Sequence, residues 1–118
     1  MNKKELLSNL SQFIGTEKYY RITHRHLLTD GTKYLAENAE CFWLMTAIAS
    51  HLPKQYHDYF AVVNLTVKDS AAQLTLDDGN GNIFASQKIE YTDFPLSELK
   101  LYCAFDGEYW VIMLTSEY

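Results

Sequence analysis

Hydrophobic residues are concentrated in one stretch, residues 31–52, which reads GTKYLAENAECFWLMTAIASHL. Apolar side chains fall on two neighbouring helical stripes there, and such a wide apolar face is typical of a buried helix. Thr29 and Asp30 precede the stretch and can accept hydrogen bonds from the amides of a first turn. Pro53 follows it and cannot continue a helix. The pattern therefore predicts one long, buried helix.

A shorter amphipathic pattern lies between Lys3 and Phe13, and it predicts a first helix that Gly15 ends as a C-cap. Residues 19–26 read YYRITHRH and are rich in β-forming residues. We expect a single extended segment there, in which His24 and His26 point to the same side.

From residue 59 onward the apolar period changes to two, which is typical of half-buried strands. Asp78-Gly79-Asn80-Gly81 and Asp106-Gly107 are strong hairpin signals, the second of them typical of a two-residue type I′ turn. The order of elements predicts one α+β domain spanning residues 1–118. Its two N-terminal helices, the second long and buried, would pack on a mainly antiparallel sheet of about four to six strands.

The last predicted hairpin has two apolar faces. A two-residue turn would pair Phe105 with Glu108 and Cys103 with Trp110, and it would turn one apolar set toward the core. The opposite side is unusually apolar for a solvated surface and carries Lys100, Tyr102, Ala104, Tyr109, Val111 and Met113. Either another element covers this side or it is a contact surface.

Composition narrows the possible functions. The chain has 118 residues, a net charge of −5, nine tyrosines and two cysteines. An acidic chain lacks the basic footprint of a nucleic-acid groove, whereas tyrosine is frequent at binding surfaces. The cysteines form no disulfide framework, the N-terminus lacks the apolar run of a signal peptide, and the apolar stretch is too short to span a bilayer. We expect a cytoplasmic protein that binds neither membrane nor nucleic acid directly.

The sequence gives little support for a catalytic or metal-binding site. His24 and His26, with His51 or His57, have no diagnostic zinc spacing, and residues 77–82 depart from a calcium loop at its glycine and glutamate positions. Cys41 and Cys103 lie in apolar surroundings, and Glu37 with Glu40 fits a solvated helix face better than an acid–base pair. We predict no enzyme, no catalytic residue, no metal site and no cofactor.

Tyrosine and arginine are the residue types that most often anchor interfaces. Tyr19, Tyr20 and Arg21 stand together, although one of the tyrosines could equally belong to the core. The predicted partner-binding residues are therefore Tyr19, Tyr20, Arg21, Tyr102, Tyr109, Val111 and Met113.

Several short motifs follow one another along nearly the whole chain: GTE followed by YY, TDG followed by YLAE, then WL, DGNG and YTDFPL. In this order they resemble a family of small bacterial proteins of unknown function. The resemblance implies one compact cytoplasmic domain and brings no catalytic or ligand residues.

The leading hypothesis is a non-catalytic regulatory protein that binds another protein. A narrower version is an inhibitor of a host defence complex, of the anti-CRISPR kind, encoded by a mobile element; small size and acidity are the basis of that analogy. The alternatives are a small metal- or carboxylate-dependent hydrolase, using His24, His26 and Glu37, and a homodimeric structural protein that pairs through the Tyr102 side of the last hairpin.

Overall fold

The computed structural model describes residues 2–52 and 59–118. Its helices are α1 (Lys3–Leu10), α2 (Asp30–Asn38) and α3 (Phe42–His51). Its strands are β1 (Tyr20–Thr23), β2 (His26–Leu28), β3 (Phe60–Lys68), β4 (Ala71–Asp77), β5 (Ile83–Ile89), β6 (Glu98–Phe105) and β7 (Trp110–Leu114). A 3-10 turn (Thr115–Glu117) follows β7. The predicted α+β class is confirmed.

The sheet is larger than predicted and mixed. Its seven strands have the order β1-β2-β7-β6-β3-β4-β5, and β2 runs parallel to β7 while the other neighbours are antiparallel. The predicted number of about four to six strands is wrong because residues 20–28 fold into a hairpin instead of one extended segment. The chain then leaves β2 through α2, and such a long crossover permits the parallel pairing with β7.

The predicted single long helix is also wrong, since it breaks into α2 and α3. Glu40 adopts a left-handed φ of 50°. The Ala39 N–H donates to the carbonyl of Leu35, and the Cys41 N–H donates to that of Ala36 over 2.9 Å. The first is the last ordinary bond of α2, and the second is the 6→1 bond of a Schellman C-cap with the left-handed Glu40 at C′, which ends α2 and redirects the chain. As a result Phe42, which belongs to the apolar stretch that was expected to be buried, is 47 % exposed.

Glycine is expected to suit position 40 better than glutamate. A left-handed conformation costs an L-residue about 1–2 kcal/mol, and glycine avoids most of that cost. We expect Glu40→Gly to raise the free energy of unfolding by about 0.5–1 kcal/mol in urea titrations. The matched control, Glu37→Gly inside α2, should instead lower it by about 1 kcal/mol. A destabilised Glu40→Gly protein would contradict the assigned helix break.

The first helix is shorter than predicted. The Asn2 side chain accepts the Glu5 N–H over 2.8 Å and caps the N-terminus of α1. The helix ends when the N–H of Ser11 bonds to the carbonyl of Leu7. Gly15 lies beyond this cap, so its predicted role is wrong.

The last hairpin has a four-residue loop rather than the predicted two-residue turn. Phe105 pairs with Trp110 and Cys103 with Ile112. The carboxylate of Asp106 accepts the N–H groups of Glu108 and Tyr109, over 2.8 and 2.7 Å, and this closes the wider loop. Because the pairing shifts by two residues and side chains alternate with period two, each residue keeps its predicted face.

The hydrophobic core lies between the helices and one face of the sheet. It joins residues of all three helices to alternate strand residues, among them Val63, Leu65, Leu74, Leu101, Cys103 and Ile112. Val62 and Met113 are also buried, but they lie outside this core. Strand alternation turns both to the other side of the sheet, which we call the back face and define by Val62, Tyr102 and Met113.

Candidate functional site

Three aromatic rings form a cluster on the back face. Phe60 of β3 and Tyr102 of β6 lie on adjacent central strands, with ring centroids 5.2 Å apart. Tyr118 closes the group with edge-on contacts of 5.1 Å to Phe60 and 5.5 Å to Tyr102. We call these three residues the back-face cluster. Tyr118 is 73 % exposed, so the cluster presents aromatic surface to solvent.

Glu117 holds the turn that carries Tyr118. Its carboxylate accepts hydrogen bonds from the Thr29 hydroxyl over 2.6 Å, the Leu114 N–H over 2.9 Å and the Gly31 N–H over 3.1 Å. Two of these donors belong to the N-terminus of α2, where the helix dipole favours an anion. A Cβ at Gly31 would lie 2.5 Å from the carboxylate, so glycine makes this close approach possible.

Arg21 and Tyr109 form a second polar–aromatic contact on the same side of the sheet. The Arg21 guanidinium donates to the Tyr109 hydroxyl over 3.0 Å and lies 5.5 Å from the centre of its ring. Arg21 pairs with Leu27 and Leu27 with Val111, so this contact continues along the row of back-face residues toward Phe60. Arg21 is exposed and Tyr109 half-buried.

Tyr20 belongs to the polar network around α2. Its hydroxyl donates to Asp30 over 2.9 Å, and Lys33 lies 4.1 Å from the centre of its ring. The bond to Asp30 raises the pKa of Tyr20. The backbone N–H of Glu17, followed by the Tyr20 hydroxyl, lowers the pKa of Asp30. The hydroxyl and the ring of Tyr20 therefore already have partners within the protein.

The predicted partner-binding residues therefore separate into groups. The structure brings Arg21, Tyr102, Tyr109, Val111 and Met113 to the back face, although Met113 is only 9 % exposed. Tyr19, just before β1, is 57 % exposed. Sequence reasoning missed Phe60 and Tyr118, although the period-two pattern of β3 already placed Phe60 on the non-core side.

The three histidines in the described part of the chain, His24, His26 and His51, lie on different elements. His24 lies in the turn between β1 and β2, whereas His26 is on β2 and His51 contacts Gln87 of β5 over 2.7 Å. The prediction that His24 and His26 share one strand face is therefore wrong, and His57 lies outside the described residues. Within residues 2–52 and 59–118, no group of three His, Cys, Asp or Glu side chains is placed to hold a metal ion.

His26 makes stability depend on pH. Its Nε2 atom is buried without a hydrogen-bond partner among the described residues, and burial lowers its pKa below the ordinary 6.5. Because the unfolded chain binds this proton more readily, the His26 contribution to stability is full above about pH 6.5 and falls as the pH drops. We expect the free energy of unfolding to fall between about pH 7.5 and about pH 5.5, and to fall less in His26→Gln. His24→Gln, at an exposed histidine, should behave like the wild type; equal pH dependence in all three proteins would contradict the assignment.

The other residues considered for catalysis or calcium binding are the two cysteines, the Asp78 turn and the pair Glu37 and Glu40. Burial raises the pKa of Cys41 to about 12 and also raises that of Cys103, so neither thiol is an activated nucleophile. The carboxylate of Asp78 accepts hydrogen bonds from Asn80 and Asn82, as expected of a hairpin turn. Glu37 is on α2 while Glu40 lies beyond its end, so they are not adjacent on one helix face.

A groove of about 380 Å³ lies between α1 and the ends of β3 and β6. Its walls include Leu7, Leu65, Leu96 and Leu99, with Glu98 and Lys100 as its ionisable residues. Asn64, Thr66 and Thr115 also belong to the lining, so the groove is half aliphatic and half polar.

Fold and site together define an α+β protein with helices packed on one sheet face and an aromatic cluster on the other. The chain belongs to DUF6876, a family of unknown function whose model matches residues 4–118. The resemblance to a family of unknown function is thereby confirmed. A crystal structure of a protein of unknown function from Enterococcus faecalis is similar, with 13 % identity and a TM-score of 0.49 over 83 % of this chain and 93 % of that one. No curated protein matches the sequence.

None of the helices in the described ranges is both long enough and apolar enough to cross a membrane.

Proposed function

We propose that this protein acts without catalysis, as a regulatory protein that binds another protein through its back face. The observation that carries the proposal is the back-face cluster, in which the exposed Tyr118 packs on Phe60 and Tyr102. Aromatic side chains of this kind contribute large contact areas and one polar group each, which is why they anchor interfaces. Val62 and Met113 are buried on the same face.

The rest of the face has the composition expected of a binding surface. Arg21 and Tyr109 add a guanidinium and a hydroxyl beside the half-buried Val111 and Leu27. Arginine and tyrosine are enriched at interfaces. This mixture of an apolar centre and polar edge supports a protein partner over a small-molecule ligand.

The narrower role predicted from the sequence, inhibition of a host defence complex by a mobile-element protein, is kept as part of this proposal. Its support is the small size and the net charge of −5. The buried, unpaired thiols of Cys41 and Cys103 fit a reducing cytoplasm as the place where the protein acts.

Two tyrosines provide a matched test. Tyr118 and Tyr91 are 73 % and 75 % exposed, but only Tyr118 joins the back-face cluster. Tagged wild-type protein, Tyr118→Asp and Tyr91→Asp would be used to capture proteins from a lysate of the source cell, with quantification by mass spectrometry. We expect a partner that the wild type and Tyr91→Asp retain and that Tyr118→Asp loses by about tenfold or more.

Circular dichroism would show that both variants keep the fold. Capture of the same proteins by all three baits, or of no specific protein by any, would overturn the proposed function. Capture of the catalytic subunit or guide complex of a defence nuclease would support the inhibitor role in particular.

A further inference from the structure

Charged residues are distributed unevenly over the two sides of the sheet. Strand pairing places on the back face four basic residues, Arg21, Lys68, Lys88 and Lys100, and two acidic ones, Asp77 and Glu98. The face is thus formally positive on a chain whose net charge is −5. The basic residues that it carries are all exposed. Local charge, rather than the net charge, decides what such a surface attracts.

One of the two acidic residues, Asp77, is already engaged in hydrogen bonds within the fold. Asp77 is half-buried, and its carboxylate accepts hydrogen bonds from the Gly79 N–H over 2.8 Å and the Asn64 amide over 3.4 Å. By contrast, Lys100 lies 5.9 Å from the centre of the Tyr102 ring, and Arg21 lies 5.5 Å from that of Tyr109. The cations therefore stand beside rings and remain available to an incoming carboxylate.

We propose that the back face binds an acidic surface of its protein partner, with carboxylates meeting Lys100 beside Tyr102, Arg21 beside Tyr109, and Lys88 on β5. This inference rests on the proposed function and adds the chemistry of the partner. Charge complementarity of this kind selects partners and accelerates their association. The apolar centre supplies contact area, and the basic residues supply orientation.

Two other occupants fit the face less well. A back-to-back dimer of this chain would bring two positive faces together, and like charges across an interface are unfavourable. A single-stranded nucleic acid needs open ring faces on which bases stack. Phe60 and Tyr102 are half-buried, and Tyr118 meets both of them edge-on, so two of the three rings have little free face.

The test compares two double variants with the same change of net charge. Lys88→Glu/Lys100→Glu reverses charges on the back face, whereas Lys3→Glu/Lys4→Glu reverses exposed charges on α1. The probe is a short fluorescein-labelled peptide rich in Glu, Asp and Tyr, and binding is measured by fluorescence anisotropy. We expect the wild type and the α1 variant to bind alike and the back-face variant to bind about tenfold more weakly or worse. Binding should also be tighter at about 50 mM than at about 300 mM salt.

Each contrary outcome overturns the inference. Equal weakening in both variants would show a long-range charge effect without a site, and no binding by the wild type would exclude an acidic ligand. Tighter binding of a thymidine oligonucleotide than of the peptide would make nucleic acid the occupant. A wild-type dimer in light scattering that Lys88→Glu/Lys100→Glu dissociates would make it a second copy. If only this test fails while Tyr118→Asp still loses a partner, the proposed function stands and the partner is not acidic.

Discussion

Replacing Glu117 by alanine is expected to lower the free energy of unfolding by about 2 kcal/mol, because a charged acceptor of three hydrogen bonds is lost. The donors are the Thr29 hydroxyl, the Leu114 N–H and the Gly31 N–H, and Thr29 is only 2 % exposed. A buried donor left without its acceptor is the costly part of such a change. Loss of an anion at the N-terminus of α2 adds a smaller amount, about 0.3–1 kcal/mol.

Urea denaturation measures this effect directly. Glu90→Ala, at an exposed glutamate, is the control and should change stability by no more than about 0.5 kcal/mol. Glu117→Gln keeps one acceptor oxygen without the charge and should fall between the two. If Glu117→Ala were as stable as Glu90→Ala, the contacts of the carboxylate would contribute nothing to the fold.

Glu117→Ala should also disturb the back-face cluster, since Glu117 and Tyr118 are consecutive. Val62 and Met113 are the strand neighbours of Tyr102, and we expect their methyl resonances to move in NMR spectra as Tyr118 leaves Phe60 and Tyr102. Unmoved methyl signals in a destabilised variant would show that Tyr118 is held by its ring contacts alone.

Neighbouring residues of β7 are expected to differ strongly in their contribution to stability. Ile112 is fully buried in the core, whereas Val111 is half-buried on the back face. Ile112→Ala should cost about 3 kcal/mol, through lost apolar burial and the cavity that remains. Val111→Ala should cost about 1 kcal/mol or less, because its methyl groups are already partly in water.

The comparison tests whether only the helix-covered face of the sheet is buried in solution or both faces are. Both variants keep the β7 backbone and its hydrogen bonds, so thermal or urea unfolding reports the side chains. A cost for Val111→Ala that approaches that of Ile112→Ala would mean that the back face is covered in solution. The back face would then not be available to a partner.

Strand patterns were the part of the fold that the sequence predicted best. The faces of the last hairpin were correct although the pairing was shifted, because a slip of two residues leaves alternation unchanged. The break between α2 and α3 could not be predicted, since Glu40 in a left-handed conformation has no distinctive sequence signal, whereas glycine there would have had one. The pairing of β2 with β7 joins segments more than eighty residues apart, and no local pattern specifies it.

The candidate site was predicted only in part for the same reason. Tyr102, Tyr109 and Val111 follow from alternation within one hairpin. Phe60 and Tyr118 join them through contacts between segments that are distant in sequence. The hydrogen bond between the Glu117 carboxylate and Thr29 also links distant segments. Gly31 was the available hint, because a glycine in the first turn of a helix is consistent with close approach of another group.

The parallel contact between β2 and β7 also constrains how the chain is made. Within the described sheet, β1 and β2 are joined to the other strands through β7 alone. During synthesis on the ribosome, the hairpin of residues 20–28 can therefore not join the other strands until residues 110–114 have emerged. Such distant pairing slows folding, since the loop that joins the strands must close first. Nascent chains stalled before β7 should be sensitive to proteases at this N-terminal hairpin. Synthesis of β7 then fixes β2 in the sheet.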